Sequence, residues 1–157
     1  MIYFLDTNVL IDADQLHFSI RERQDYWNWL LSLGKKGQLK IPESVYDEVK
    51  DKDLVGWLEE HKTVFLCRTE ECLIALPKVA QGYGDPLLSE EELEMLGADP
   101  FIIAHAIVAG GTVVTHEKPT NATIPKNKKI PSVCQALGVP CLTLLTFMWE
   151  MRRTLPE

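Results

Sequence analysis

The chain opens with an apolar run, Ile2-Tyr3-Phe4-Leu5, that ends at Asp6. A run without polar alternation fits a parallel strand covered on both faces. A short helix is expected over residues 8–14, with Thr7 or Asn8 near its cap. Over residues 21–35, Tyr26, Trp27, Leu30, Leu31 and Leu33 recur at helical spacing, and Gly37 ends the helix. Pro42 starts a helix that reaches Lys50, and residues 54–61 form another. Residues 64–67 predict a short strand, residues 70–80 a helix, and Gly82-Tyr83-Gly84-Asp85-Pro86 a loop. Ser89 with Glu90, Glu91 and Glu92 behind it is a capping-box start. Asp99-Pro100 opens the strongest helix, which stops at Gly110-Gly111. A second core strand follows over residues 112–115, then a polar, lysine-bearing loop over 116–130. A helix from Ile130 is stopped by Gly138, a last strand covers 140–143, and a terminal helix covers 144–153.

Strands that alternate with helices imply an α/β fold with a mostly parallel central sheet covered on both faces. In such sheets the binding crevice lies outside the carboxyl ends of the strands. The 157 residues suffice for one such domain, read as a single unit over 1–157, and no internal repeat is visible. No apolar run is long enough to span a bilayer, and the first residues lack a basic stretch, so a cytoplasmic protein without a membrane anchor is expected. Cys67, Cys72, Cys134 and Cys141 form no C-x-x-C pair, which disfavours zinc; Cys134 and Cys141 flank a predicted turn that brings them near each other. The net charge of -7 disfavours a binder that grips nucleic acid with a broad basic face. That objection weakens if many acids share one pocket with a bound cation.

Four acids stand where the crevice should be. Asp6 follows the first strand, and Glu117 follows the second core strand, two residues after Thr115. Glu48 shares a helical face with Val45 and Val49, which puts a carboxylate on the stripe facing the core or lets it snorkel to water. Asp99 begins the apolar face of Ile102, Ile103, Ala106 and Ile107; it reads as an N-cap before Pro100 or as a ligand whose ionised form the helix terminus favours. Convergent carboxylates repel unless a cation neutralises them, and an all-oxygen set suits Mg²⁺ or Mn²⁺. Such a centre activates water for in-line attack on a phosphodiester.

The same residues carry a family resemblance. Leu5-Asp6-Thr7-Asn8-Val9-Leu10-Ile11 resembles the opening motif of PIN domains, including VapC-type toxins. Pro42-Glu43-Ser44-Val45-Tyr46-Asp47-Glu48-Val49 resembles the helix bearing the second acid. Ala98-Asp99-Pro100-Phe101-Ile102-Ile103-Ala104 resembles the third motif, and Val113-Val114-Thr115-His116-Glu117 the fourth. The resemblance implies a PIN-like three-layer α/β/α sandwich and metal-dependent cleavage of single-stranded RNA. It also implies a partner antitoxin and a homodimer. Asp6, Glu48 and Asp99 become core ligands and catalytic acids, Glu117 a further ligand or water-positioning group, and Asn8 and Thr115 polar support. Many relatives carry Asp where Glu117 stands, and both the tryptophan-rich stretch 14–38 and the loop 118–130 are longer than in compact members.

Other residues take weaker assignments. Lys118, Lys126, Lys128 and Lys129 are candidates for RNA phosphate contact, with a solvated loop as the plain alternative. Tyr26, Trp27 and Trp29 suit core packing better than base stacking, and the apolar terminal helix suits core or a protein contact. His116 is positioned to touch phosphate or simply to be exposed. The alternative function is a PIN-like module that binds RNA or protein without cutting. A dehalogenase-like phosphatase would need a second Asp where Asn8 stands.

Overall fold

The computed structural model describes residues 1–84 and 88–156; Asp85 and Pro86 of the expected loop lie outside the described residues. Five strands, β1 (Tyr3–Leu5), β2 (Leu39–Pro42), β3 (Leu66–Cys67), β4 (Thr112–Val114) and β5 (Cys141–Leu142), form one sheet in the order β3-β2-β1-β4-β5. Every pairing is parallel, with Tyr3 opposite both Leu39 and Thr112. Helices flank this sheet, which gives the α/β arrangement with a parallel central sheet expected from the sequence.

The central strand explains the apolar N-terminal run. Tyr3, Phe4 and Leu5 are all buried, because β1 has a strand on each side and helices above and below. One cover is α8 (Asp99–Ala109), which packs on β1, β2 and β4 and buries nearly every residue of its first two turns. Against it lie α6 (Leu76–Gly82) and α9 (Ile130–Leu137). The opposite cover includes α2 (Gln24–Lys35), whose Tyr26, Trp27 and Trp29 are all buried. Trp27 Nε1 donates to Phe18 O at 2.6 Å, and Trp29 Nε1 donates to Thr154 Oγ1 at 2.9 Å, so both indoles serve the core. Phe147 of α10 (Leu144–Glu150) joins this layer, with its ring 4.8 Å from Tyr3 and 5.7 Å from Trp29.

Two elements differ from the sequence reading. β2 is a strand where only the approach to a helix is expected; its four residues include Lys40 and the imino acid Pro42, which mask the alternation. The helix over residues 70–80 is instead two short 3₁₀ turns, Thr69–Glu71 and Leu73–Ala75, followed by α6. Pro77 has no N–H and its ring blocks the carbonyl four residues earlier, so a regular helix cannot run through it. α5 (Lys62–Phe65) takes the first half of the strand expected over 64–67 and leaves β3 only Leu66–Cys67, while α1 (Thr7–Asp12), α3 (Glu43–Glu48), α4 (Lys52–Glu60) and α7 (Glu90–Leu96) lie within a few residues of expectation. Ser89 caps α7 through the expected reciprocal bonds with Glu92. Among the described residues no helix is long and apolar enough to cross a membrane.

Phe147 is fully buried and bridges β1 to α2. Phe147→Ala should destabilise the protein by about 3–5 kcal/mol in urea unfolding. A loss well below that range would mean that α10 contributes little to the core.

Candidate metal centre

From β1 the chain moves outward to β2 and β3, then returns to lay β4 on the other side of β1. The carboxyl ends of β1 and β4 therefore flank the point where the strand order reverses, and a parallel sheet leaves its crevice there. Asp6 is the first residue past β1, Glu117 lies shortly past β4, and Asp99 is the first residue of α8. One oxygen from each of Asp6, Asp99 and Glu117 lies within 4.8 Å of the others.

Asp6 is only 3% exposed, yet it is well bonded. Its Oδ1 accepts from Thr7 N at 2.7 Å, and its Oδ2 accepts from Thr115 Oγ1 at 2.8 Å. Asp6 itself therefore caps α1, in place of Thr7 or Asn8, because the helix begins directly where the strand ends. The Thr115 hydroxyl in turn accepts from Glu117 N at 3.1 Å and from Asn8 Nδ2 at 3.5 Å. Asn8 Oδ1 accepts from His116 N at 3.1 Å. Burial raises the Asp6 carboxyl to about 6, aided by the charges of Glu117 and Glu48 and opposed by the bonds from Thr115 and Thr7.

Asp99 has no such support. Ala98 occupies the N-cap position, and no hydrogen bond reaches the Asp99 carboxylate among the described residues. Burial comes first, followed by the charges of Asp6, Glu117 and Glu48, in lifting Asp99 to about 9; Lys129 pulls the other way. The helix terminus was expected to favour the ionised form, but desolvation and three neighbouring acids outweigh it.

Glu117 reaches across the base of its loop, and its Oε2 accepts from Ile130 N at 2.9 Å. Glu48 stands apart from the cluster. Its Oε1 accepts from Ala98 N at 2.6 Å and its Oε2 from Thr7 Oγ1 at 2.8 Å. Of the two placements open to Glu48, the core-facing stripe is not the one it takes: the residue is exposed, as the alternative that reaches water has it, while Val45 and Val49 are buried. The helix stops at Glu48, and Val49 reaches the core from an extended conformation, so helical spacing no longer holds between them. Glu48 borders an open cleft of about 480 Å³ with Asp47, Glu94 and Phe101. Gly97, at φ +61°, lies against the Glu48 carboxylate where any Cβ would collide with Oε1.

Of the loop lysines, Lys118, Lys126 and Lys129 are exposed and Lys128 is half-buried. Lys128 Nζ passes 3.0 Å from where a Cβ on Gly84 would stand, and Lys129 is close enough for its charge to act on Asp99. His116 Nδ1 lies 2.7 Å from Asp12 Oδ2, a pairing that the sequence spacing conceals. Cys134 and Cys141 are free thiols that share a hydrogen bond, which holds Cys134 protonated and lowers Cys141. On α10, Phe147 is core while Trp149 is 66% exposed under the Arg152 guanidinium. Sequence reasoning missed Tyr83, placed in a loop, whose ring is fully buried.

The chemistry of this set suits a hard divalent cation, because every donor is an oxygen and their mutual repulsion is what a cation relieves. A pH signature follows for the metal-free protein. Asp6 and Asp99 titrate above their ordinary value near 3.8 when folded, so the folded chain holds protons that the unfolded chain releases. Stability should therefore fall as pH rises from about 4 towards about 9. In thermal melts with EDTA, Asp99→Asn should flatten that decline and melt above the wild type at the alkaline end; an unchanged slope would contradict the burial of Asp99. Gly97→Ala should cost more than about 1 kcal/mol through its backbone conformation alone, read by urea unfolding.

No curated protein matches the sequence. Among solved structures, a chain in the crystal structure of VapBC2 from Rickettsia felis bound to a DNA fragment from their promoter is similar, with a TM-score of 0.50 and 18% identity. The alignment covers 91% of this chain and 98% of that one, and at this identity it speaks for the fold alone. A family model described as "Domain of unknown function (DUF4411)" matches residues 3–155. That match takes in all five strands and all four motif acids, and the chain belongs to the DUF4411 family.

Proposed function

We propose that this protein is a metal-dependent endoribonuclease, acting in the cytoplasm as the toxin of a toxin–antitoxin pair. The observation that carries the reading is the convergence of Asp6, Asp99 and Glu117 at the switch point of the sheet. The likeness of the fold to a VapBC2 chain supports it. A protein antitoxin and a homodimer belong to the same reading.

Asp6, Asp99 and Glu117 would hold Mg²⁺ or Mn²⁺. When bound, the cation supplies positive charge for the attacking and leaving oxygens of a phosphodiester. Thr115 and the Thr7 amide fix the Asp6 carboxylate, so its position does not depend on the cation. Asn8 steadies the Thr115 hydroxyl. Asp99, whose carboxyl burial favours neutral, would have to give up its proton to serve as a ligand, since a neutral carboxyl is a poor one. Glu48 spans the cleft rim and adds negative charge beside the ligands without joining them. Lys129, whose charge acts on Asp99, and Lys118, Lys126 and Lys128 of the same loop would receive RNA phosphates.

A second reading, a module that binds RNA or protein without cutting, draws on the commitments of two acids. Glu48 is tied to Ala98 N and Thr7, and Glu117 to Ile130 N, which leaves fewer free oxygens than four motif acids suggest.

Two measurements separate the readings. Mn²⁺ at about 100 times its dissociation constant should stabilise the fold by about 2.7 kcal/mol, and Asp99→Asn should abolish the effect. Single-stranded RNA should be cut with Mn²⁺ and left intact with EDTA, and Asp6→Asn or Asp99→Asn should slow cutting by about 100-fold or more. Mutants that cut at the wild-type rate would end the metal-site assignment. RNA binding without cutting would favour the second reading.

A further inference from the structure

We propose that the hollow beside His116 is a nucleobase subsite, which takes the base of an RNA nucleotide whose phosphate lies at the acid cluster, with His116 bonding to the edge of that base. The proposal rests on RNA as the substrate in the reading above and adds a site outside the four motif acids.

The hollow has a volume of about 320 Å³ and is lined by His17, Phe18, His116, Leu144, Leu145 and Met148. Its place follows from the sheet. His116 lies just past the carboxyl end of β4, and Leu144 lies just past that of β5. These strands are parallel neighbours, and Thr115 N donates to Leu142 O at 2.9 Å. The hollow therefore stands at the same edge of the sheet as the acids. His116 separates Glu117 from Thr115, whose hydroxyl bonds Asp6.

The wall is held in place by the fold. Phe18 stacks on Tyr26 with ring centroids 4.2 Å apart, and the Arg23 guanidinium lies 5.3 Å from the centre of the Phe18 ring. Leu144 is buried in the core cluster. α1 grips His116 at two points one turn apart: Asn8 Oδ1 accepts from His116 N at 3.1 Å, and Asp12 Oδ2 lies 2.7 Å from His116 Nδ1. An ionised carboxylate only accepts, so the shared hydrogen belongs to Nδ1. Nε2 has no hydrogen-bond partner among the described residues, and in the neutral ring it accepts an N–H.

A base matches this hollow better than a protein segment does. A stable protein contact buries about 1,200–2,000 Å², whereas pockets for single small ligands begin at about 300 Å³ and combine apolar walls with a few polar groups. The splayed base of single-stranded RNA is a flat apolar body with N–H groups on its edge. Phe18, Leu144, Leu145 and Met148 suit its faces, and His116 suits its edge. Leu145 is 79% exposed, so the rim is open to solvent.

The test is fluorescence anisotropy in EDTA with a short labelled single-stranded RNA and with the same ribose–phosphate chain lacking its bases. The wild type should bind the RNA about ten-fold or more tightly than the baseless chain. His116→Ala and Leu145→Glu should lose most of that preference, and thermal melts check that both are folded. The preference is a ratio, so it cancels any change in attraction for phosphate. A preference that both folded variants retain would overturn the proposal, because the bases would then be read elsewhere. No preference in the wild type would also overturn it and would leave the hollow to a protein partner. Cutting of RNA with Mn²⁺ decides the nuclease reading separately. Cutting without base preference would end the subsite alone, and a base preference lost in both variants but without cutting would keep the subsite and end the nuclease.

Discussion

Electrostatic repulsion among three carboxylates governs the architecture of this site. Asp6, Asp99 and Glu117 are drawn together at one edge of a parallel sheet, where desolvation penalises every negative charge. The protein meets this unevenly. Asp6 receives a backbone amide and a hydroxyl, and its carboxyl rises only to about 6. Asp99 receives neither and rises to about 9. Burial and mutual repulsion thus push both carboxyls up, Asp99 further than Asp6 because it lacks the two bonds.

Around this core stands a brace that the acids do not supply themselves. Glu48 links α3 to α8 through Ala98 N and to α1 through the Thr7 hydroxyl. These are the helices that present Asp99 and Asp6, so one side chain ties together two of the elements that carry the clustered acids. Gly97 belongs to the same device, since only glycine leaves room for the Glu48 carboxylate there. Thr115 does the corresponding work from β4, between Asp6, Asn8 and the Glu117 amide.

Much of this is legible in the chain, for physical reasons that also mark where legibility ends. β1 and β4 announce themselves as apolar runs because both faces of each are covered. The three clustered acids follow from their place at strand ends and at a helix start. β2 escapes notice because four residues that include Lys40 and Pro42 show no clear period. Glu48 is misplaced because periodicity presumes a helix that continues, and α3 ends there. The state of Asp99 is misjudged because a local effect of the helix terminus is visible in sequence, whereas burial by distant elements is not. Tyr83 is hidden for the same reason: it follows α6, which packs on α8 and α9, and its burial depends on the fold around it.

The strand order also bears on how the protein is made. β1 precedes β4 by more than a hundred residues, yet β4 is one of its two neighbours, and the Asp6 amide bonds to Val114 O. The apolar first strand must therefore wait, half-paired, until most of the chain has been synthesised. Pairings so distant in sequence form late because loop closure precedes any gain from contact. Until Glu117 emerges, the acids remain scattered along an incomplete sheet. The three acids come together only once β4 has paired with β1, so their clustering belongs to the late-forming part of the sheet.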